Sequence, residues 1–353
     1  MAFEENVQQN SQLLKTVFWD NGCLVVIDQT KLPNALVYLR LNHYMEVASA
    51  IKNLVVRGAP AIGVTAAFGL ALTASKSTSE LDILMKELEN AQNTLKSTRP
   101  TAVNLSWALA RVMKKAKEQN NVEDVKRVIL EEALRMSEED IEINKRIGTH
   151  GSELIQDEDV VLTHCNAGSL ATVAYGTALG VIRAAYQVGK RVYVIATETR
   201  PVMQGSRLTA FELQYDGIDV SLIPDTAVGH IMASKKIKCV IVGADRVLGS
   251  GHVFNKIGTY QVALIASQHK IPFYVAAPLS TFDFKNGLSD VTIEERPSEE
   301  VTQINGVRLA PQGIRVLNPA FDVTPPELIS GFVTEKGVLT PPYEESFRSI
   351  CQQ

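Results

Sequence analysis

Residues 159–169 read Asp-Val-Val-Leu-Thr-His-Cys-Asn-Ala-Gly-Ser, a β-branched apolar run that stops abruptly in a polar, glycine-bearing turn. Four more segments, 192–196, 218–223, 239–242 and 272–277, repeat that grammar, each a short apolar strand followed by a turn and a helical pattern. Near-continuous apolar strands call for burial on both faces, and their alternation with helices is the spacing of βαβ units. The pattern predicts α/β architecture, a Rossmann-like doubly wound parallel sheet in the C-terminal domain. Cys165 and Asp245 then fall just past two strand ends. Open parallel sheets keep their sites at the carboxyl ends of their strands, so the pair points to an enzyme.

Upstream the signals differ. Asp20-Asn21-Gly22 separates two β-prone runs, 16–19 and 23–28, and Asn-Gly is a strong two-residue hairpin signal. From about residue 44 the apolar spacing becomes helical, over 45–54, 61–73, 79–95, 103–118 and 122–136. A polar helix continues from 138 to 154. We therefore expect a mostly helical N-terminal domain with a small β-sheet, residues 1–135, and an α/β domain, residues 136–353, bridged by a long helix. A chain of 353 residues suits two domains, because single cores stop growing at roughly 250 to 300 residues. The proline-rich stretch beyond 297 predicts loops that wrap the body of the fold or a second subunit.

Composition narrows the function. With 45% hydrophobic and 21% charged residues the chain is an ordinary globular one, and a net charge of −4 argues against nucleic acid as the main partner. No apolar run of about 18 residues is present, and the acidic, amide-rich start lacks the basic and then apolar order of a signal peptide. A cytoplasmic protein with no membrane partner is expected. Cys23, Cys165, Cys239 and Cys351 lie far apart without a CxxC pair, which fits reduced thiols rather than a zinc ribbon or disulfide scaffold, so no metal is expected. Neither GxGxxG nor a P-loop follows any strand, so no nucleotide cofactor is indicated.

Three arginines precede prolines at or near predicted helix starts: Arg57-Gly58-Ala59-Pro60, Arg99-Pro100 and Arg200-Pro201. Such places favour an anion, although each arginine taken alone also fits a surface salt bridge. Cys165 is read as entering a long helix through 175–187, whose dipole would lower the thiol pKa; a buried structural cysteine is the alternative. His164, adjacent on an extended strand, points to the opposite face and is read as structural. Asp245, among apolar walls, fits a general acid, or else a partner of Arg246 or a turn cap. Asn255-Lys256 is expected to open the helix 257–267, supplying an amide and a cation.

Six motifs occur in order: Arg57-Gly-Ala-Pro-Ala-Ile-Gly63, Ser97-Thr-Arg-Pro-Thr101, Cys165-Asn-Ala-Gly-Ser169, the stretch Glu198-Thr-Arg-Pro-Val-Met-Gln-Gly-Ser-Arg-Leu-Thr209, Gly243-Ala-Asp-Arg246 and Asn255-Lys-Ile-Gly-Thr-Tyr260. Over nearly the whole chain this closely resembles the family that unites S-methyl-5-thioribose-1-phosphate isomerases with ribose-1,5-bisphosphate isomerases and the regulatory subunits of a translation-initiation exchange factor. The first group is nearest. The resemblance implies an aldose–ketose isomerase of methionine salvage, a cytoplasmic homodimer acting on a sugar phosphate without a cofactor. It assigns Cys165 and Asp245 as the catalytic pair and Arg57, Gly58, Ala59, Arg99, Gln204, Asn255 and Lys256 to the substrate. A related sugar, 5-deoxyribose 1-phosphate or ribose 1,5-bisphosphate, and a binding protein without turnover are the alternatives. The route of hydrogen between C2 and C1, proton or hydride, stays open.

Overall fold

Asn21 and Gly22 both adopt positive φ, 47° and 77°. That backbone twist matches a two-residue hairpin, and it joins β2 (Val17–Asp20) to β3 (Cys23–Ile27). With β1 (Ala2–Glu4) and β4 (Val37–Leu41) these strands make an antiparallel sheet in the order β1-β4-β3-β2. The computed structural model describes residues 2–4, 13–99, 102–304 and 306–351. The chain divides into two units, Met1–Arg146 with Ala167–Gly180, and Ile147–Asn166 with Val181–Gln353.

In the first unit the helices are α1 (Tyr44–Lys52), α2 (Ala59–Lys76), α3 (Leu81–Ser97), α4 (Val103–Lys117) and α5 (Val122–Ser152). Helix α2 is buried all round from Ala61 to Leu72, so it serves as the axis against which α1, α3 and α4 pack. Its small residues make that possible. A Cβ on Gly63 would stand 3.0 Å from the Asn104 carbonyl of α4, and one on Gly69 3.0 Å from the Leu95 side chain of α3. Phe68 of α2 stacks on Trp19 of β2, ring centroids 5.7 Å apart, which ties the sheet to the helices. The expected segments 122–136 and 138–154 merge into one 31-residue helix that ends at Ser152, and its early apolar positions, Val125, Ile129, Ala133 and Met136, enter the first core.

In the second unit the chain runs β5 (Val160–Thr163), α6 (Ala178–Gln187), β6 (Tyr193–Thr197), α7 (Ala210–Tyr215), β7 (Asp219–Ile223), α8 (Val228–Ser234) and β8 (Cys239–Val242). A hairpin of β9 (Arg246–Leu248) and β10 (Val253–Lys256) follows, then α9 (Thr259–Gln268), β11 (Phe273–Ala276) and β12 (Phe282–Asp283). After α10 (Glu299–Thr302) comes a small hairpin, β13 (Gln303–Ile304) and β14 (Val307–Arg308). The chain closes with β15 (Phe321–Thr324), β16 (Gly331–Thr334), β17 (Gly337–Leu339) and α11 (Tyr343–Cys351).

The main sheet has the order β17-β16-β11-β8-β5-β6-β7, parallel except for β17. Its first strand, β5, is interior, paired with β6 on one side and β8 on the other. The chain winds outward through β6 and β7, returns to β8 on the other side of β5, and winds outward again. The proline-rich tail contributes more than loops: β16 is wholly buried and extends the parallel sheet, while β15 joins a second sheet, β12-β9-β10-β15. Those strands of four residues are too short for a periodic signal. Phe332 of β16 packs edge-on against Phe347 of α11 at 5.3 Å and against Tyr343 at 4.8 Å, anchoring the tail in the second core.

Candidate functional site

The order of strands reverses between β5 and β8, and a crevice at such a switch point is where open α/β sheets bind ligands. Cys165 leaves the carboxyl end of β5 and Asp245 follows the end of β8, so the sheet brings these two positions to neighbouring strand ends. Thr163 donates through Oγ1 to the Ile241 carbonyl at 2.8 Å, fixing the two ends together. Three residues after β8, the chain enters the second sheet. There the Asp245 N–H donates to the Phe254 carbonyl at 3.0 Å, and Arg246 stands opposite Phe254. Asn255 and Lys256 follow Phe254 on β10 and pair with Asp322 and Phe321 of β15.

Cys165 is buried, 8% exposed, and its backbone is clamped from both sides in the left-handed region at φ 63°. Its N–H donates to Thr199 Oγ1 at 2.9 Å, and its carbonyl accepts from Thr209 Oγ1 at 2.6 Å. The expected long helix starting at Cys165 is not formed. Tyr175 and Gly176 take positive φ, 75° and 83°, which a helix cannot include, and α6 begins only at Ala178. Residues 167–180 instead belong to the first unit, where Gln29 Nε2 donates to the Leu170 carbonyl and the Val173 N–H to Asp140. Asn255 and Lys256 likewise differ from expectation: they end strand β10, and α9 starts at Thr259 behind Gly258. Asn255 donates to Thr259 Oγ1 at 3.1 Å, while Lys256 Nζ donates to the Ala320 carbonyl at 3.0 Å and lies 4.8 Å over the Phe321 ring.

Gln204 sits beyond β6, at the entry to a π-helical turn, Gly205–Thr209, a departure from α geometry that recurs at functional sites. A Cβ on Gly205 would lie 1.7 Å from the Thr197 carbonyl, so only glycine fits that close approach. Gln204 is 6% exposed, and its Oε1 has no hydrogen-bond partner among the described residues. An orphaned buried acceptor is costly, and a ligand hydroxyl would satisfy it.

Arg57, Gly58, Ala59 and Arg99 lie in the first unit. Arg57 Nε donates to Gln29 Oε1 at 3.3 Å, Gly58 takes φ 94° as the N-cap of α2, and Ala59 begins that helix with Pro60 behind it. Arg99 follows the last turn of α3; Pro100 and Thr101 lie outside the described residues. Arg200 is not at a helix start: its backbone N–H and that of Thr199 donate to Asp225, and its guanidinium donates to the Pro201 and Val301 carbonyls. Arg246 pairs with Asp283 at 3.3 Å. Burial pushes the Cys239 thiol of β8 up to about 12, an inert core position.

Sequence reasoning did not weigh Thr197, Asp225 and Asp322. Asp322 of β15 accepts from the Gly258 N–H at 2.7 Å and the Tyr260 N–H at 3.2 Å, and burial pushes its carboxyl up to about 6. The available signal was position: Thr197 ends β6, Thr199 follows it, and Asp225 follows the end of β7.

Fold and strand-end geometry define an open α/β protein with buried polar groups past the carboxyl ends of its central strands. The chain belongs to the initiation factor 2 subunit family, whose model matches residues 55–341. It is 53% identical over 341 residues to the methylthioribose-1-phosphate isomerase of Thermosipho africanus, covering 96% of this chain and 98% of that one. Among solved structures it matches the 5-methylthioribose 1-phosphate isomerase of Pyrococcus horikoshii OT3 with TM-score 0.91 and 43% identity, over 99% and 98% of the two chains. The A. fulgidus structure described as translation initiation factor eIF-2B, subunit delta, matches with TM-score 0.88 and 50% identity, over 96% and 100%. Among the described residues, no helix is long and apolar enough to cross a membrane.

Proposed function

We propose that this protein is an aldose–ketose isomerase that converts S-methyl-5-thioribose 1-phosphate into S-methyl-5-thioribulose 1-phosphate in methionine salvage. The observation that carries the proposal is the placement of Cys165 and Asp245 after β5 and β8, the two adjacent strands of the switch point, with the Asp245 N–H bonded to Phe254, the residue before Asn255. A phosphate on the anomeric oxygen blocks spontaneous ring opening, so a group on the enzyme must protonate the ring oxygen as its bond to C1 breaks. Asp245 as general acid suits that step. One hydrogen then moves from C2 to C1 while the C2 hydroxyl loses its proton and becomes the carbonyl. In a proton route the Cys165 thiolate is the base. Arg57, Arg99 and Lys256 supply cations for the phosphate, Gly58 and Ala59 their backbone, and Gln204 and Asn255 amides for the sugar.

The test is turnover of the purified protein on methylthioribose 1-phosphate, run beside 5-deoxyribose 1-phosphate and ribose 1,5-bisphosphate. The methylthio sugar should give the ketose with the highest kcat/KM; a better rate on either rival reassigns the substrate. The description of the A. fulgidus neighbour as a translation-factor subunit supports a second reading, binding without turnover, and absence of product from all three sugars would favour it. The widely spaced cysteines, which fit reduced thiols, support a cytoplasmic location, and the family resemblance supports a homodimer. A monomer in sedimentation would remove the dimer.

A further inference from the structure

We propose that His164 is a positioning residue: its imidazole, neutral and protonated on Nε2, joins the loop that carries Cys165 to the turn that follows Asn255 and Lys256 of β10. The inference rests on the functional reading above for its kinetic consequences, but its geometry stands alone. The ring is 2% exposed. Nε2 lies 2.9 Å from the Ile257 carbonyl, which can only accept, so the hydrogen is on Nε2. Nδ1 lies 2.7 Å from Thr197 Oγ1 and, in a neutral ring, accepts the threonine proton. Thr197 Oγ1 is 3.3 Å from Thr199 Oγ1, the group that receives the Cys165 N–H.

The Thr199 hydroxyl stands 3.3 Å from both the hydroxyl and the carbonyl oxygen of Thr197, so it bonds to that residue in either case. With the ring neutral, the Cys165 N–H donates to Thr199, the Thr199 hydroxyl to an oxygen of Thr197, the Thr197 hydroxyl to His164, and His164 to the residue after Lys256. Bonds aligned head to tail strengthen one another in a poorly solvated interior. Burial favours the neutral ring, holding its pKa below the ordinary histidine range; the Ile257 carbonyl and Asp225 oppose that shift and Lys256 adds to it. The chain on the far side is shaped to the ring. Gly258 sits at φ 100°, and a Cβ there would be 2.9 Å from His164 Cε1. Its N–H is held in turn by Asp322.

The experiment combines two variants with one spectrum of the wild type. In His164→Gln the amide nitrogen falls near the place of Nε2 and keeps the bond to Ile257. In His164→Asn the side chain reaches only the place of Nδ1 and loses it. With methylthioribose 1-phosphate, His164→Asn should raise KM at least tenfold with a smaller change in kcat, and His164→Gln should stay within about threefold of wild type. Equal impairment of the two, or an unchanged KM in His164→Asn, overturns the positioning role. Nitrogen-15 NMR of labelled wild type at neutral pH should show a neutral ring protonated on Nε2; a charged ring or an Nδ1–H tautomer overturns it without reference to activity. Should the wild type turn over none of the three sugars, the isomerase reading fails while the spectrum still decides the brace.

Discussion

The two units bury different things. Around α2 the first unit buries alanine, glycine and aliphatic side chains, with Phe68 the largest, and its core is a close-packed apolar interior. In the second unit the strands themselves are apolar, yet past their carboxyl ends lie buried polar groups: His164, Asn166, Thr199, Gln204, Thr209, Glu212 and Asn255. Most of these are held by named hydrogen bonds: Asn166, for example, donates to Glu212 at 2.9 Å, and Glu212 accepts in turn from Arg183. Apolar burial is non-directional and tolerates substitution of like volume; a hydrogen-bonded network fixes geometry and fails when one member is removed. The first arrangement supplies stability and the second supplies placement.

The largest expected effect tests placement. Cys165→Ser and Asp245→Asn should each lower kcat by about 10²- to 10⁴-fold, the range for loss of a positioned acid or base, with the denaturation midpoint nearly unchanged. Near-normal turnover in either variant breaks the role assignment. Truncating Phe68 to alanine should do the reverse, costing about 3 to 5 kcal/mol in chemical denaturation through the cavity it leaves, with KM and kcat of the folded fraction preserved. A large kinetic change there would mean that the apolar unit also shapes the chemistry.

A smaller effect sharpens the comparison, because the first unit also keeps polar groups from water, and one carboxyl beside its core is shifted by that burial. Asp140 of α5 accepts from the Val173 N–H at 2.7 Å and from Asn144 at 3.1 Å, and burial outweighs both bonds, pushing its carboxyl up to about 7. The folded state therefore binds the proton more tightly than the unfolded chain, whose carboxyl titrates near 3.8. Stability from this group is greatest below the unfolded value and is lost as pH rises toward about 7. Asp140→Asn should remove that slope, on the order of 4 kcal/mol at most, as read by thermal unfolding between pH 4 and 8. An unchanged slope would show that the carboxyl is charged throughout.

Much of this was legible in the chain. The five strands stand within a residue or two of where their apolar runs placed them, since side-chain period is a local property. The Asn21-Gly22 turn was equally plain. The helix after Cys165 was not, because the positive φ at Tyr175 is imposed by the bonds that residues 167–180 make within the first unit. Nor was strand β10, where Asn255 and Lys256 read as a helix start: four residues paired to β9 and β15 carry no periodic signal of their own.

The sequence by itself determined the alternation of strand and helix, the residues that end each strand, and hence the candidate pair Cys165 and Asp245. Only the tertiary structure decided that β5 and β8 are neighbours and that Asp245 meets Phe254, the residue before Asn255. It also decided that His164 meets Ile257 across 93 residues of chain. Hydrophobic period and turn chemistry act over a few residues, whereas strand order and hydrogen bonds between distant loops are settled by which surfaces meet when the chain closes on itself.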